Sequence, residues 1–155
     1  MPQRPGPAAS RDPARALLRW VLAAAYAGIG LVHLARPEAL LPIMPGWVPL
    51  PLTVILATGI CEIAGAAGLL MPRTRRLAGI MLALYAVCVV PANVKHAVEG
   101  IDLPPLPNSW WYHAPRLAFQ PVLVWAALFA AGLTDWPRTR PEAGSGAGAR
   151  PGQGP

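Results

Sequence analysis

The chain has 155 residues, 54% of them hydrophobic and only 13% charged, with a formal net charge of +6. A mean hydropathy of +0.41 excludes an ordinary water-soluble domain, for which about 25% charged residues is usual. Cys61 and Cys88, far apart and without a C-x-x-C, give no sign of a disulfide framework or paired redox motif; they read as small residues buried at helix contacts.

The apolar residues fall into four blocks, about 17–35, 52–71, 77–98 and 117–134. Each is long enough for a helix to cross a hydrocarbon layer of about 30 Å. Continuous apolar runs, without period-2 alternation, point to helices and not strands. The fold class expected is therefore all-α, an integral membrane four-helix bundle in contact with the lipid bilayer.

Charge placement gives an orientation and argues against a nucleic-acid partner. Arg4, Arg11, Arg15 and Arg19 precede the first block, Arg73, Arg75 and Arg76 lie between the second and third, and Arg138, Arg140 and Arg150 follow the fourth. Only Arg36, Lys95 and Arg116 fall on the other side. The positive-inside rule then puts both termini in the cytoplasm.

In chain order, residues 1–15 are rich in Pro, Arg and small residues and are expected to be disordered. The first span has small residues at signal-cleavage spacing, Ala23 to Ala27, but Arg19 interrupts its early part and the apolar run continues to Val32. It reads as an uncleaved span. Gly28 and Gly30 are expected to allow close helix approach, and His33 lies near the outer end. The loop that follows carries Pro37, Pro42, Pro45, Pro49 and Pro51, so no regular helix is expected. Its greasy residues place it at headgroup level with Trp47 as anchor, as a lid or as a tight connector.

The second span holds one carboxylate, Glu62, with Gly59, Gly65 and Ala66 three or four positions away on the same face. An acid at mid-membrane costs roughly 2.5–3.5 kcal/mol on insertion scales and so faces protein or a wet cavity. The third span is plain until Pro91, where a kink is expected, and then carries Asn93, Lys95 and His96. Trp110, Trp111 and Tyr112 are read as a loop whose aromatics form an interfacial belt or stack on a ligand ring. The fourth span opens with Arg116 and Gln120. Residues 137–155, rich in Gly, Pro and Ala, are expected to be disordered.

With this topology His33, Asn93, His96, Arg116 and Gln120 share the outer half with Glu62. Helical side chains tilt toward the amino terminus, so His33 and Asn93 lean toward Glu62 while Arg116 leans toward the headgroups. His33 and Asn93 are the expected partners of Glu62, with Gln120 intermediate. No metal site is indicated, since His33, Glu62 and His96 come from three helices without ligand spacing in any of them.

Several motifs together resemble the DoxX-like family of small bacterial membrane proteins. They are Gly28-Ile29-Gly30-Leu31-Val32-His33, the Ile43 to Pro51 loop, Thr58-Gly59-x-x-Glu62, Gly68-Leu69-Leu70-x-Pro72-x-x-Arg75, Pro91-Ala92-Asn93-x-x-His96-Ala97 and Arg116-Leu117-x-x-Gln120. The resemblance covers roughly residues 17–134, with Ala118 where the family pattern has proline. It implies a four-helix protein of the bacterial inner membrane, some relatives being subunits of quinone-linked oxidoreductases. Three readings follow. One is a redox-associated subunit with a quinone pocket near Glu62 and a redox partner protein. Another is a non-catalytic assembly or accessory protein, and the third a small proton-coupled transporter working as a homo-oligomer.

Overall fold

The computed structural model describes residues 12–136. The segments 1–11 and 137–155, expected above to be disordered, lie outside the described residues. All regular structure among the described residues is helical: α1 (Pro13–Ala35), a 3-10 helix (Pro37–Ile43), α2 (Pro51–Leu70), α3 (Arg75–Cys88), α4 (Val90–Val98), α5 (Trp110–Ala118) and α6 (Gln120–Ala131).

Helix starts follow the capping chemistry. The Asp12 carboxylate accepts from the N–H groups of Ala14 and Arg15, and Pro13 occupies the first turn, where its missing N–H costs nothing. The helix thus begins before the expected boundary, and Pro13–Arg15 are helical, not disordered. The expected kink at Pro91 is a break: α3 ends at Cys88 and α4 starts at Val90. Pro121 does the same to the last span, dividing α5 from α6 around Phe119. That span starts at Trp110, so the aromatic run Trp110–Tyr112 is the first turn of a helix and not a loop. The loop after α1 contains a 3-10 helix that packs on α1, α2 and α4. Short i→i+3 turns accommodate a proline-dense segment that an α-helix would not.

Four helical stretches, Pro13–Ala35, Pro51–Leu70, Arg75–Val98 and Trp110–Ala131, are long and apolar enough to cross a membrane. They pack in a ring, α1 on α2, α2 on α3, α3 on α6 and α6 on α1, each antiparallel to the next. Both described chain ends and the α2–α3 turn lie at one end, called here the terminal end. The 3-10 helix, α4 and the start of α5 lie at the other, the loop end.

The interior is built from small residues. Ala23, Ala66, Ala78, Ala83, Ala126, Ala127, Ala130 and Ala131 form the core with Leu22, Tyr26, Leu69 and Leu82. Leu17, Trp20, Leu31, Ile60, Leu77 and Leu84 point outward and are exposed. A water-soluble bundle distributes these residues the other way. Close contacts fall where a Cβ is missing. A Cβ on Gly30 would stand 2.8 Å from the Gly59 carbonyl, and one on Gly79 would stand 2.2 Å from Ala131 Cβ. Gly59 faces Gly30 and His33 in turn. Gly65 admits the Leu82 side chain. Gly28 is exposed with open space around it. It lies two residues, about 200° of helix, from Gly30, so the expectation that it serves close approach is corrected. Cys61 and Cys88 are likewise exposed and not buried at helix contacts.

Candidate functional site

The glycine-lined crossing of α1 and α2 sets the first polar cluster. Because Gly30 and Gly59 let the two backbones touch, His33 on α1 reaches Glu62 on α2, with 2.5 Å between Nδ1 and Oε2. Glu62 is almost fully buried, at 1% exposure, while the His33 side chain keeps 16%. One imidazole nitrogen is therefore held on a buried carboxylate, while the His33 side chain is not fully enclosed by the bundle. The other carboxylate oxygen, Oε1, is buried with no hydrogen-bond partner. The Tyr85 phenol lies within polar range of the carboxylate without a well-aligned hydrogen bond. Tyr26 packs edge-on to Tyr85 at 6.0 Å between ring centroids and has its own hydroxyl buried without a partner. An acid, an imidazole and two phenols thus meet at the middle of the bundle.

Asn93 and Arg116 belong to a second cluster. The Arg116 guanidinium donates to Asn93 Oδ1 at 2.5 Å and to His96 Nδ1 at 3.0 Å. An arginine has only donors, so His96 accepts on Nδ1 and carries its proton on Nε2, an atom buried without a partner. The His113 ring packs edge-on to His96 at 4.7 Å, and neither of its nitrogens has a partner. Tyr112 lies under the Arg116 guanidinium at 5.7 Å. Two expectations are corrected here: Arg116 does not lean out to the rim, and Asn93 turns to Arg116, not to Glu62. The physical reason is the early start of α5. Arg116 is its seventh residue, not the first of a span, and so faces α4 instead of the loop end.

Gln120 stands apart from both clusters. It is buried at the start of α6, and its Oε1 lacks a partner. It lines an apolar groove of about 400 Å³ together with Ala86, Val90, Leu117 and Pro121. The groove lies beside the two helix breaks, at Val89 and Phe119. Ala86 in its wall follows Tyr85 in sequence, the phenol that faces Glu62.

Lys95 closes the loop end. Its ammonium donates to the carbonyls of Pro42 and Met44 at 2.7 and 2.8 Å, oxygens that the end of a short helix leaves unsatisfied, and lies 3.8 Å from Glu99. The first loop is thereby tied to α4.

Three members of the site were not among the sequence candidates. Tyr26 carried a signal, since it precedes Gly30 by four residues and His33 by seven and so shares their helix face. His113 precedes Arg116 by three, a relation visible only once the segment is known to be helical. Tyr85 had no such marker, because the break at Val89 interrupts the phase between it and Asn93.

Comparison with known proteins adds a family and no activity. Residues 22–131 match the family described as a domain of unknown function, DUF8561, and the chain belongs to that family. Neither the curated proteins nor the solved structures contain a match.

Proposed function

We propose that the chain is a multi-pass protein of the bacterial inner membrane, with both termini in the cytoplasm, that exchanges a proton through Glu62 and His33 in the service of quinone chemistry. The observation that carries this reading is the buried Glu62 carboxylate held by the partly exposed His33 imidazole. A buried acid is costly, and a static anchor could be built from neutral groups. An imidazole bridging that acid to the bundle exterior is suited to passing a proton, since its two nitrogens accept on one side and release on the other. The apolar outer surface and alanine-rich interior support the membrane assignment, and the arginines around the terminal end support the orientation.

The quinone part rests on the groove beside the proline breaks and on the resemblance to the DoxX-like family. Gln120 would hold a quinone oxygen there, its amide N–H donating to a carbonyl and its unpartnered Oε1 accepting from a quinol hydroxyl. Conversion of quinone to quinol takes up two electrons and two protons. Glu62, His33 and Tyr85 handle protons, and a partner redox protein supplies the electrons.

The test is extraction of quinone from the purified protein, together with titration by a short-chain quinone. Saturable binding that weakens in Gln120→Leu and persists in Glu62→Gln is expected. Neither bound nor bindable quinone would sink this part of the proposal. A non-catalytic role draws on a different observation, the Arg116–Asn93–His96 cluster that ties α4 to α5 without touching Glu62. In that case Arg116→Gln would deplete the protein from the membrane, whereas Glu62→Gln would leave a normal amount of functional protein.

A further inference from the structure

At the terminal end, far from Glu62, the beginning of α1, the end of α2 and the beginning of α3 enclose a cleft of about 810 Å³. Its lining includes Asp12, Arg15, Arg19, Trp20, Leu70 and Arg75. Arg15 is engaged, 3.3 Å from Asp12 and 2.5 Å from Asp135. Arg19 and Arg75 form no carboxylate ion pair among the described residues. Arg19 reaches the Ala130 carbonyl at 3.3 Å, and Arg75 reaches those of Leu69 and Leu70 at 3.2 and 3.4 Å. A guanidinium has five N–H donors, so both keep donors unused. Arg15, Arg19 and Arg75 therefore converge on one cleft, and two of the three have no carboxylate among the described residues to balance them.

We propose that this cleft binds the phosphate of an anionic phospholipid. The shared chemistry is a phosphate group taken by forked guanidinium donors. A lipid is favoured over free phosphate by the surroundings. Trp20 on the wall is 65% exposed, and Leu17 on α1 and Leu77 on α3 are 66% and 63% exposed. Acyl chains can therefore run down an apolar surface while the headgroup sits in the cleft, with Trp20 at the boundary. The proposal rests on the membrane reading above and is independent of the quinone part.

Native mass spectrometry of the full chain, extracted from bilayers of equal phosphatidylglycerol and phosphatidylcholine, tests it. Retention of phosphatidylglycerol about tenfold over phosphatidylcholine is expected, at a few-fold per cationic contact. The preference should vanish in Arg19→Gln/Arg75→Gln and persist in Arg73→Gln/Arg76→Gln, which removes the same charge from exposed positions of the same turn. Because Arg75 also holds the end of α2, Arg19→Gln alone serves as the second variant and should lose several-fold. Equal loss in both double variants would mean general surface charge and overturn the site. Inorganic phosphate that binds without lipid and displaces phosphatidylglycerol would overturn the lipid assignment. Failure of the membrane reading would show separately, as protein missing from the membrane fraction.

Discussion

The Glu62–His33 contact depends on the chemistry of two side chains and on how little space separates them. Replacing His33 with Ala leaves both carboxylate oxygens of a buried acid without a hydrogen-bond partner, an outcome that costs about 1–3 kcal/mol. Thermal unfolding in detergent should register that loss, and His33→Gln, which can still donate, should recover part of it. Arg116→Lys tests the second cluster. A lysine is a point charge and cannot fork between Asn93 and His96, so a loss of about 1–2 kcal/mol is expected by the same measurement. The two residues differed in legibility. His33 was readable as a partner of Glu62 because α1 and α2 run continuously from known ends, so depth and side-chain tilt could be worked out. Arg116 was not readable in this way because its helix begins at Trp110, hidden in an aromatic run that also suits an interfacial loop.

At the level of helices, the bundle is organised by where backbones approach. Gly30→Ala would drive a Cβ against the Gly59 carbonyl at 2.8 Å, and backbone does not yield cheaply, so a loss of about 1–3 kcal/mol is expected. Gly28→Ala, two residues away in open space, should be neutral or stabilising by about 0.5–1 kcal/mol through reduced unfolded-state freedom. Equal effects in denaturant titrations would contradict the crossing described here. Glycine content alone did not separate the two positions; the Tyr26–Gly30–His33 spacing does, since it defines one face. Gly79 gave no warning, because its partner surface at Ala127 and Ala131 is a run of alanines with no phase of its own. The two proline breaks were half legible. Pro91 announced an interruption, whereas the groove beside it also needs Pro121 on the facing span, and pairing the two requires the tertiary arrangement.

For the molecule as a whole, the four long apolar helices were legible because spanning length and apolar runs are properties of local sequence. The small-residue core was not, since alanine is equally at home inside and outside a helix bundle. The orientation proposed here is open to direct measurement. Cys61 and Cys88 are exposed, so replacing both with Ala should leave the fold intact and give a background free of thiols. In that background Asn108→Cys should react with a membrane-impermeant thiol reagent in intact cells, and Arg73→Cys only after permeabilisation. The reverse pattern would invert the topology and place the arginine cleft outside. The central claim, that Glu62 exchanges a proton inside the bundle, is most directly tested by infrared difference spectroscopy of the protein reconstituted in lipid with a short-chain quinone, oxidised against reduced. The account predicts a carboxyl band that changes between the two states, is altered in His33→Gln and is absent in Glu62→Gln; a difference spectrum without any carboxyl change would contradict it.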